Sequence, residues 1–109
     1  RDRNVTGVQT CALPILDAVA AGARHARAEA LRLDGWAARA QTEVAHLKGC
    51  APARVIAALR ATPLMTTEMV AQQIGASRDT AERVLARLHG TGLIREGTGT
   101  RRFRLWSAP

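Results

Sequence analysis

The sequence predicts a mainly α-helical chain, in which a long N-terminal helix is followed by three short helices and a C-terminal β-hairpin. Three observations support this class. From Leu16 onward, apolar residues recur at alternating steps of three and four, as they do along one face of a helix. Start and stop residues divide the segment 52–90 into three short helices. Beyond Leu93, two runs of alternating apolar and polar residues flank a glycine-rich stretch, which is typical of a hairpin.

Composition narrows the class of partner. The chain has 109 residues, with 16 Lys and Arg against 9 Asp and Glu, a net charge of +7 and an isoelectric point near 11.4. This length allows one small domain and an additional helix. The 22 alanines and 3% aromatic content predict a thin helical core. No apolar run approaches the ~18 residues of a membrane span, and the basic excess favours a polyanionic partner, nucleic acid first.

The first fifteen residues differ from the rest because they show no helical or strand period. Residues 5–15, VTGVQTCALPI, resemble the translation of a common short-read sequencing adapter. We therefore expect residues 1–15 to be non-native and the chain to be the C-terminal piece of a larger protein. The remaining residues carry a net charge of +6. Without Cys11, Cys50 is a lone thiol, as expected in a reducing cytoplasm.

Residues 16–48 are predicted to form one long, alanine-rich amphipathic helix. Ten stripe positions keep a seven-residue repeat: Leu16, Val19, Ala23, Ala26, Ala30, Leu33, Ala37, Ala40, Val44 and Leu47. Because the stripe stays in phase through Gly35, one helix with any kink at that glycine is favoured over a hairpin. Small side chains bury too little area to stabilise a solitary helix. The helix is expected to pack on the downstream domain, with Leu31 and Trp36 as anchors, on a second copy as a homodimer, or on a region upstream of this chain.

Three shorter helices are expected between residues 52 and 90. The first, 52–61, presents Val55, Ile56 and Leu59. The second is capped by Thr66 or Thr67 and ends at Gly75, with Met69, Val70 and Ile74 on its apolar face. The third is capped by Ser77 and extends to Gly90, and its apolar face comprises Ala81, Val84, Leu85 and Leu88.

The spacing of small and apolar residues in this region is that of a helix-turn-helix. Ala71, Gly75 and Val84 stand at offsets of 0, +4 and +13. A small residue allows two helices to touch, glycine supplies the positive φ of a sharp turn, and the later apolar residue packs the third helix on the second. Ala81 departs from the pattern, since a larger branched residue is usual there. Residues 93–96 and 102–106, joined by the glycine-rich 97–101, then predict a basic hairpin, or wing. Residues 52–106 are therefore expected to form a winged helix-turn-helix domain.

The tract 63–106, which begins PLMTTEMVAQQIG and ends TRRFRLW, resembles the C-terminal helix-turn-helix domain of a family of uncharacterised bacterial proteins. In that family the domain follows a larger domain of unknown function, which suggests a relation to the Fic family of nucleotidyl-transferring proteins. The resemblance implies double-stranded DNA as the partner and transcription regulation as the role. The resemblance implies that the larger domain lies outside this chain, so its activity is not expected of these residues.

In a winged helix-turn-helix the third helix enters the major groove. The residues expected to meet bases or nearby phosphates there are Ser77, Arg78, Asp79, Thr80, Glu82, Arg83 and Arg87. Arginine can contact guanine, and a carboxylate can accept from cytosine. The alternative is that Arg78 with Glu82, and Asp79 with Arg83, form i,i+4 pairs that only stabilise the helix surface.

The wing is expected to contact phosphates through Arg95, Thr98, Thr100, Arg101, Arg102 and Arg104. Thr66 and Thr67, at a helix N-terminus, are candidates for a further phosphate. Phe103 and Leu105 are predicted to belong to the core, with stacking on bases as the alternative, and Trp106 is expected to cover the edge of the core.

A DNA-binding domain of a regulator is thus the leading hypothesis, and a protein-interaction or dimerisation module is the alternative. Enzymatic activity is not expected, because His25, His46 and His89 are scattered along the chain and no glycine-rich loop opens a helix. For the same reason no metal or other cofactor is expected.

Overall fold

A computed structural model describes the backbone of residues 2–109 and the side chains from residue 13 onward. Four helices and three short strands follow one another along the chain: α1 (Asp2–Val44), α2 (Ala51–Ala61), β1 (Leu64–Thr66), α3 (Thr67–Ile74), α4 (Arg78–Gly90), β2 (Arg95–Glu96) and β3 (Leu105–Ser107). The predicted class, a long helix followed by a winged helix-turn-helix, is confirmed. The chain divides into two compact units, one ending at Arg32 and the other Leu33–Pro109.

Helix α1 is continuous through Gly35, as the unbroken stripe predicts. It begins at Asp2, well before the expected start at Leu16, and includes Pro14. It also ends at Val44, earlier than residue 48. The turn that ends it is tightened by an i−3 hydrogen bond from the Leu47 N–H to the Val44 carbonyl (2.9 Å), before Gly49 adopts a φ of +81°.

The apolar stripe of α1 has two different environments. In the second unit, Ala37, Ala40 and Val44 are buried in the core, and Leu33 and Leu47 pack partly against it. In the first unit the stripe side chains are exposed. Trp36 anchors α1 as expected, because its indole N–H donates to the Leu93 carbonyl at 2.7 Å. Leu31 was expected to do the same, but its side chain is exposed.

Helices α2, α3 and α4 form the centre of the second unit. Pro52 lies in the first turn of α2, where no N–H is needed, and Val55, Ile56 and Leu59 are fully buried. In α3 the expected apolar face is partly wrong, because Met69 is 42% exposed. Thr67 and Ala71 are buried together with Val70 and Ile74. In α4 the buried residues are Ala81, Leu85 and Leu88, with Val84 partly buried.

The turn between α3 and α4 has the geometry that its sequence predicts. Gly75 adopts φ +68°, and the Ala76 N–H reaches back to the Ala71 carbonyl at 3.0 Å, as in a Schellman motif. Both helices are capped as expected. The Thr66 hydroxyl accepts from the Met69 N–H and the Ser77 hydroxyl from the Thr80 N–H, each at 3.2 Å. Cap and turn together fix the direction in which α4 leaves the core.

A small antiparallel sheet covers one side of the helices, with strand order β1-β3-β2. Strand β1 pairs Met65 with Trp106 and was not expected from the sequence. Strands β2 and β3 are shorter than the predicted runs, so the loop between them covers residues 97–104. Within the part of the chain that the structure describes, no helix has the length and apolarity needed to cross a bilayer.

Two predictions for the third strand are wrong. Phe103 was expected in the core, yet its side chain is 87% exposed, because it precedes β3 at a positive φ of 55°. Trp106 was expected at the edge of the core but is completely buried. Its indole N–H donates to the Thr67 hydroxyl at 3.0 Å, and its ring meets the His89 ring edge-on at 6.0 Å. Leu105 is half-buried.

Candidate nucleic-acid interface

The first two turns of α4 form the exposed face that the sequence predicts. Ser77, Arg78, Asp79, Arg83 and Arg87 are exposed, whereas Thr80 and Glu82 are half-buried. The Ser77 hydroxyl donates to the Thr80 hydroxyl at 3.0 Å, and the Arg83 guanidinium donates to the same Thr80 oxygen at 3.4 Å. The Thr80 hydroxyl is therefore already hydrogen-bonded to its neighbours. The charged side chains that are exposed on this face are those of Arg78, Asp79, Arg83 and Arg87.

The alternative explanation for the charges of α4 is not supported by the geometry. Among the described residues, neither Arg78 and Glu82 nor Asp79 and Arg83 form an ion pair. Arg78 instead lies 3.9 Å from Glu68 of α3, and both side chains are more than half exposed. A pair of this length and exposure contributes little to stability. Arg78 is thus held near α3 only weakly and is able to reach another anion.

The wing loop is folded around the carboxylate of Glu96. That carboxylate accepts hydrogen bonds from the Thr98 N–H (2.9 Å), the Gly99 N–H (2.6 Å) and the Thr98 hydroxyl. These donors, the Thr98 hydroxyl first, lower the pKa of Glu96 from its ordinary 4.5 to about 2. Glu96 therefore stays ionised at neutral pH and is used within the loop.

Two more of the predicted wing contacts stabilise the loop itself. The Thr100 hydroxyl donates to the Arg102 carbonyl at 2.6 Å. The Arg104 guanidinium donates through Nε to the Thr100 carbonyl at 2.8 Å and lies 5.7 Å from the centre of the Trp106 ring. The hydroxyls of Thr98 and Thr100 and the half-buried Arg104 thus have structural partners, which holds the loop in one conformation.

Three wing arginines are placed differently. Arg95, Arg101 and Arg102 are exposed, and within the described part of the chain no acidic side chain forms an ion pair with them. Because Glu96 is turned toward the loop backbone, it does not neutralise them. The wing therefore presents positive charge to solvent.

Wing, α3 and α4 meet at one cavity of about 440 Å³. Its lining residues are Thr66, Thr67, Glu68, Arg78, Arg102, Phe103 and Arg104. The first turn of α3 opens toward it, so the positive end of that helix adds to the charge of the three arginines. The Thr67 side chain is 7% exposed and bonded to Trp106, which leaves the backbone of this turn and the Thr66 region, rather than the Thr67 hydroxyl, to meet an anion.

Two lining residues were not among the expected contacts. Glu68 lines the cavity and lies 3.9 Å from Arg78. Phe103 was assigned to the core because it alternates with Arg102 and Arg104 in the manner of a strand. No local signal pointed the other way, because charged residues on both sides of an apolar one are also what a strand with one buried face shows.

The described side chains do not meet the requirements of a metal site. In the part of the chain with described side chains, no cluster of three or more His, Cys, Asp or Glu residues is able to hold a metal ion. No protein-family model matches the chain, and no curated protein matches it, so its function has to be inferred from this interface.

Proposed function

We propose that this chain binds double-stranded DNA through α4 and the wing, and that it acts in transcription regulation as part of a larger cytoplasmic bacterial protein. The observation that carries the proposal is the convergence of exposed arginines from α4 and from the wing loop on the positive end of α3. A duplex offers phosphates on both sides of its grooves, so a surface with cations on two separate elements matches it.

Different residues have different roles in this proposal. Arg78 and Arg83, on the exposed face of α4, would contact guanine edges, and Asp79 would accept from cytosine. Glu82 is half-buried and is less suited to a base contact. Arg95, Arg101 and Arg102 would contact phosphates and so contribute affinity for any sequence. The hydroxyls of Thr80, Thr98 and Thr100 position these groups.

The experiment that tests the proposal is fluorescence anisotropy of a labelled random-sequence duplex pool at several salt concentrations. Affinity should fall steeply with salt. In the double variant Arg101→Ala/Arg102→Ala the slope of log K against log salt should decrease by about 2, since two phosphate contacts are lost. The matched control is Arg24→Ala/Arg27→Ala, which removes the same charge from exposed positions of α1.

Two results would contradict the proposal. One is an intact chain whose duplex binding is absent or independent of salt. The other is a control variant that loses as much of the salt slope as the wing variant, because then net charge rather than the wing would account for binding.

A second function, self-association, is favoured by the first unit. Leu16 and Val19 are more than 60% exposed there, on the stripe that also contains Ala23, Ala26 and Ala30. The stripe residues from Leu33 to Leu47 are buried in, or packed partly against, the core of the second unit. Of the stripe expected to form a homodimer over 16–48, the exposed positions are therefore those within 16–30. Sedimentation at micromolar concentration should show a dimer that Leu16→Lys/Val19→Lys converts to a monomer. A wild-type monomer would exclude this function.

A further inference from the structure

The exposed position of the Phe103 side chain is explained neither by core packing nor by the proposed arginine contacts. At 87% exposure it is the most exposed of the large apolar side chains in the described part of the chain. Burial of a phenylalanine is strongly favourable, and one fully in water contributes nothing to the core. Core packing therefore does not explain the exposure of Phe103, whereas contact with a partner would.

The outward direction of Phe103 is set by the backbone. Its φ of 55° lies in the left-handed region. Among the described residues, the others with a positive φ are all glycines. A phenylalanine is disfavoured there, because Cβ approaches the carbonyl oxygen. Strained conformations of this kind persist where the surrounding structure imposes them, and they are concentrated at ligand-contacting sites.

The residues on both sides of Phe103 are tied to the loop. The Arg102 carbonyl accepts from the Thr100 hydroxyl at 2.6 Å, and Arg104 donates to the Thr100 carbonyl at 2.8 Å. Glu96 closes the start of the same loop through the Thr98 and Gly99 amides. The aromatic ring is thus presented from a loop held by several hydrogen bonds.

The surroundings of Phe103 carry a net positive charge. It lines the cavity of about 440 Å³ together with three arginines, Arg78, Arg102 and Arg104, against the one carboxylate of Glu68 in the first turn of α3. A partner that fits an aromatic ring flanked by cations has an apolar interior bordered by negative charge. The minor groove of a duplex has this chemistry, since phosphates border sugars and stacked bases.

We propose that Phe103 is an apolar wedge, which enters the minor groove and partly opens one base step, so that the chain binds bent DNA. This inference rests on the proposed function, because it requires that the wing lies against a duplex. Arg101 and Arg102 position the loop on the phosphates, and the ring supplies a contact that does not depend on salt.

The test uses the full chain and one duplex recovered from a random-sequence pool by selection with that chain. Phe103→Ala should weaken binding about tenfold without changing the salt slope, because no charge is removed. Phe103→Trp should retain the affinity. With dyes at both duplex ends, energy transfer should rise on binding of the wild type and rise less with Phe103→Ala. The matched control is Leu64→Ala, an exposed apolar residue that pairs with Ser107 at the end of the sheet away from the wing loop.

A further variant separates a binding role from a structural one. Phe103→Gly removes the left-handed strain together with the ring, so it should unfold at a temperature at or above that of the wild type while binding DNA more weakly. A lower unfolding temperature would assign Phe103 a structural role and overturn the inference.

The remaining outcomes are also decisive. If Phe103→Ala binds and bends the duplex as the wild type does, the wedge is overturned while DNA binding by the arginines stands. If the wild type binds no duplex, the proposed function fails and this inference fails with it.

Discussion

At the residue scale, the role predicted for the Thr67 hydroxyl from sequence differs from the role it has in the structure. Its position at a helix N-terminus predicts a phosphate contact. In the fold the same hydroxyl accepts the indole N–H of Trp106 at 3.0 Å, inside the core. Nothing local in the sequence indicates this bond, because the two residues are 39 positions apart. It depends on β1 and β3 being paired.

The Thr67 contact makes a specific prediction about stability. Thr67→Val keeps the shape of the side chain but leaves a buried indole N–H without an acceptor, which should lower the free energy of unfolding by about 1–3 kcal/mol. Thr67→Ser, which keeps the hydroxyl, should lower it less. Urea denaturation of the three proteins measures both changes. Equal stability of Thr67→Val and wild type would mean that the bond is unimportant.

Glu96 has a predicted pH dependence. Its pKa is lowered to about 2 by the hydrogen bonds from Thr98 and Gly99, below the ordinary 4.5 of the unfolded chain. The folded state therefore binds fewer protons between these values. The contribution of Glu96 to stability is complete above about pH 4.5 and is lost as the pH falls through about 2. The carboxyl carbon shift of Glu96, followed by NMR, should titrate near the lower value.

The control for this titration is a carboxylate outside the wing. Glu96→Gln should make the Thr98 and Gly99 amides exchange faster with solvent, whereas Glu43→Gln on the exposed side of α1 should leave them unchanged. A Glu96 midpoint near 4.5 would show that the loop does not close on the carboxylate.

At the element scale, α1 is one helix with two environments. The segment up to Arg32 belongs to one unit, and from Leu33 onward the helix supplies Trp36, Ala40 and Val44 to the core of the other. The sequence alone shows an even stripe over both parts. Alanine fits an exposed helix and a close helix contact equally well, so the pattern does not reveal where burial begins.

Truncation tests this division. A chain that begins at Leu33 should unfold cooperatively, with a midpoint close to that of the intact protein. A chain that begins at Ala45 lacks Trp36 and its bond to Leu93, and loss of one large core residue alone costs about 3–5 kcal/mol. Because small domains have about 5–15 kcal/mol in total, it should be largely unfolded. Circular dichroism during heating distinguishes the two, and equal midpoints would contradict the division.

The helices could be predicted because their signals are local. Thr66 and Ser77 act as caps, and Gly75 has the positive φ that its position in the turn requires. Strand β1 could not be predicted, because it has only three residues, the last of which is the cap Thr66, and these are too few to show alternation. It exists only through pairing with β3. The same limit applies to Phe103, where a left-handed residue interrupts the strand pattern.

At the scale of the whole molecule, the positions of the charges say more about the proposed DNA-binding surface than the net charge does. Residues 50–109 carry a net charge of only +5. The fold uses Glu96 within the wing and leaves Arg95, Arg101 and Arg102 exposed. It also brings Arg78 of α4 and Arg102 of the wing to one cavity. The residues predicted from sequence to contact DNA thus fall into two groups in the fold. Some face solvent, and others stabilise the wing loop.

The central claim is that α4 and the wing together form a surface for duplex DNA. NMR titration of the ¹⁵N-labelled chain with a random-sequence duplex maps that surface directly. The account predicts that amide shifts change in the N-terminal part of α4 (residues 77–87) and in the wing loop (97–104), while α2 is unaffected. Shift changes confined to other elements, or none at duplex concentrations that saturate the anisotropy signal, would contradict it.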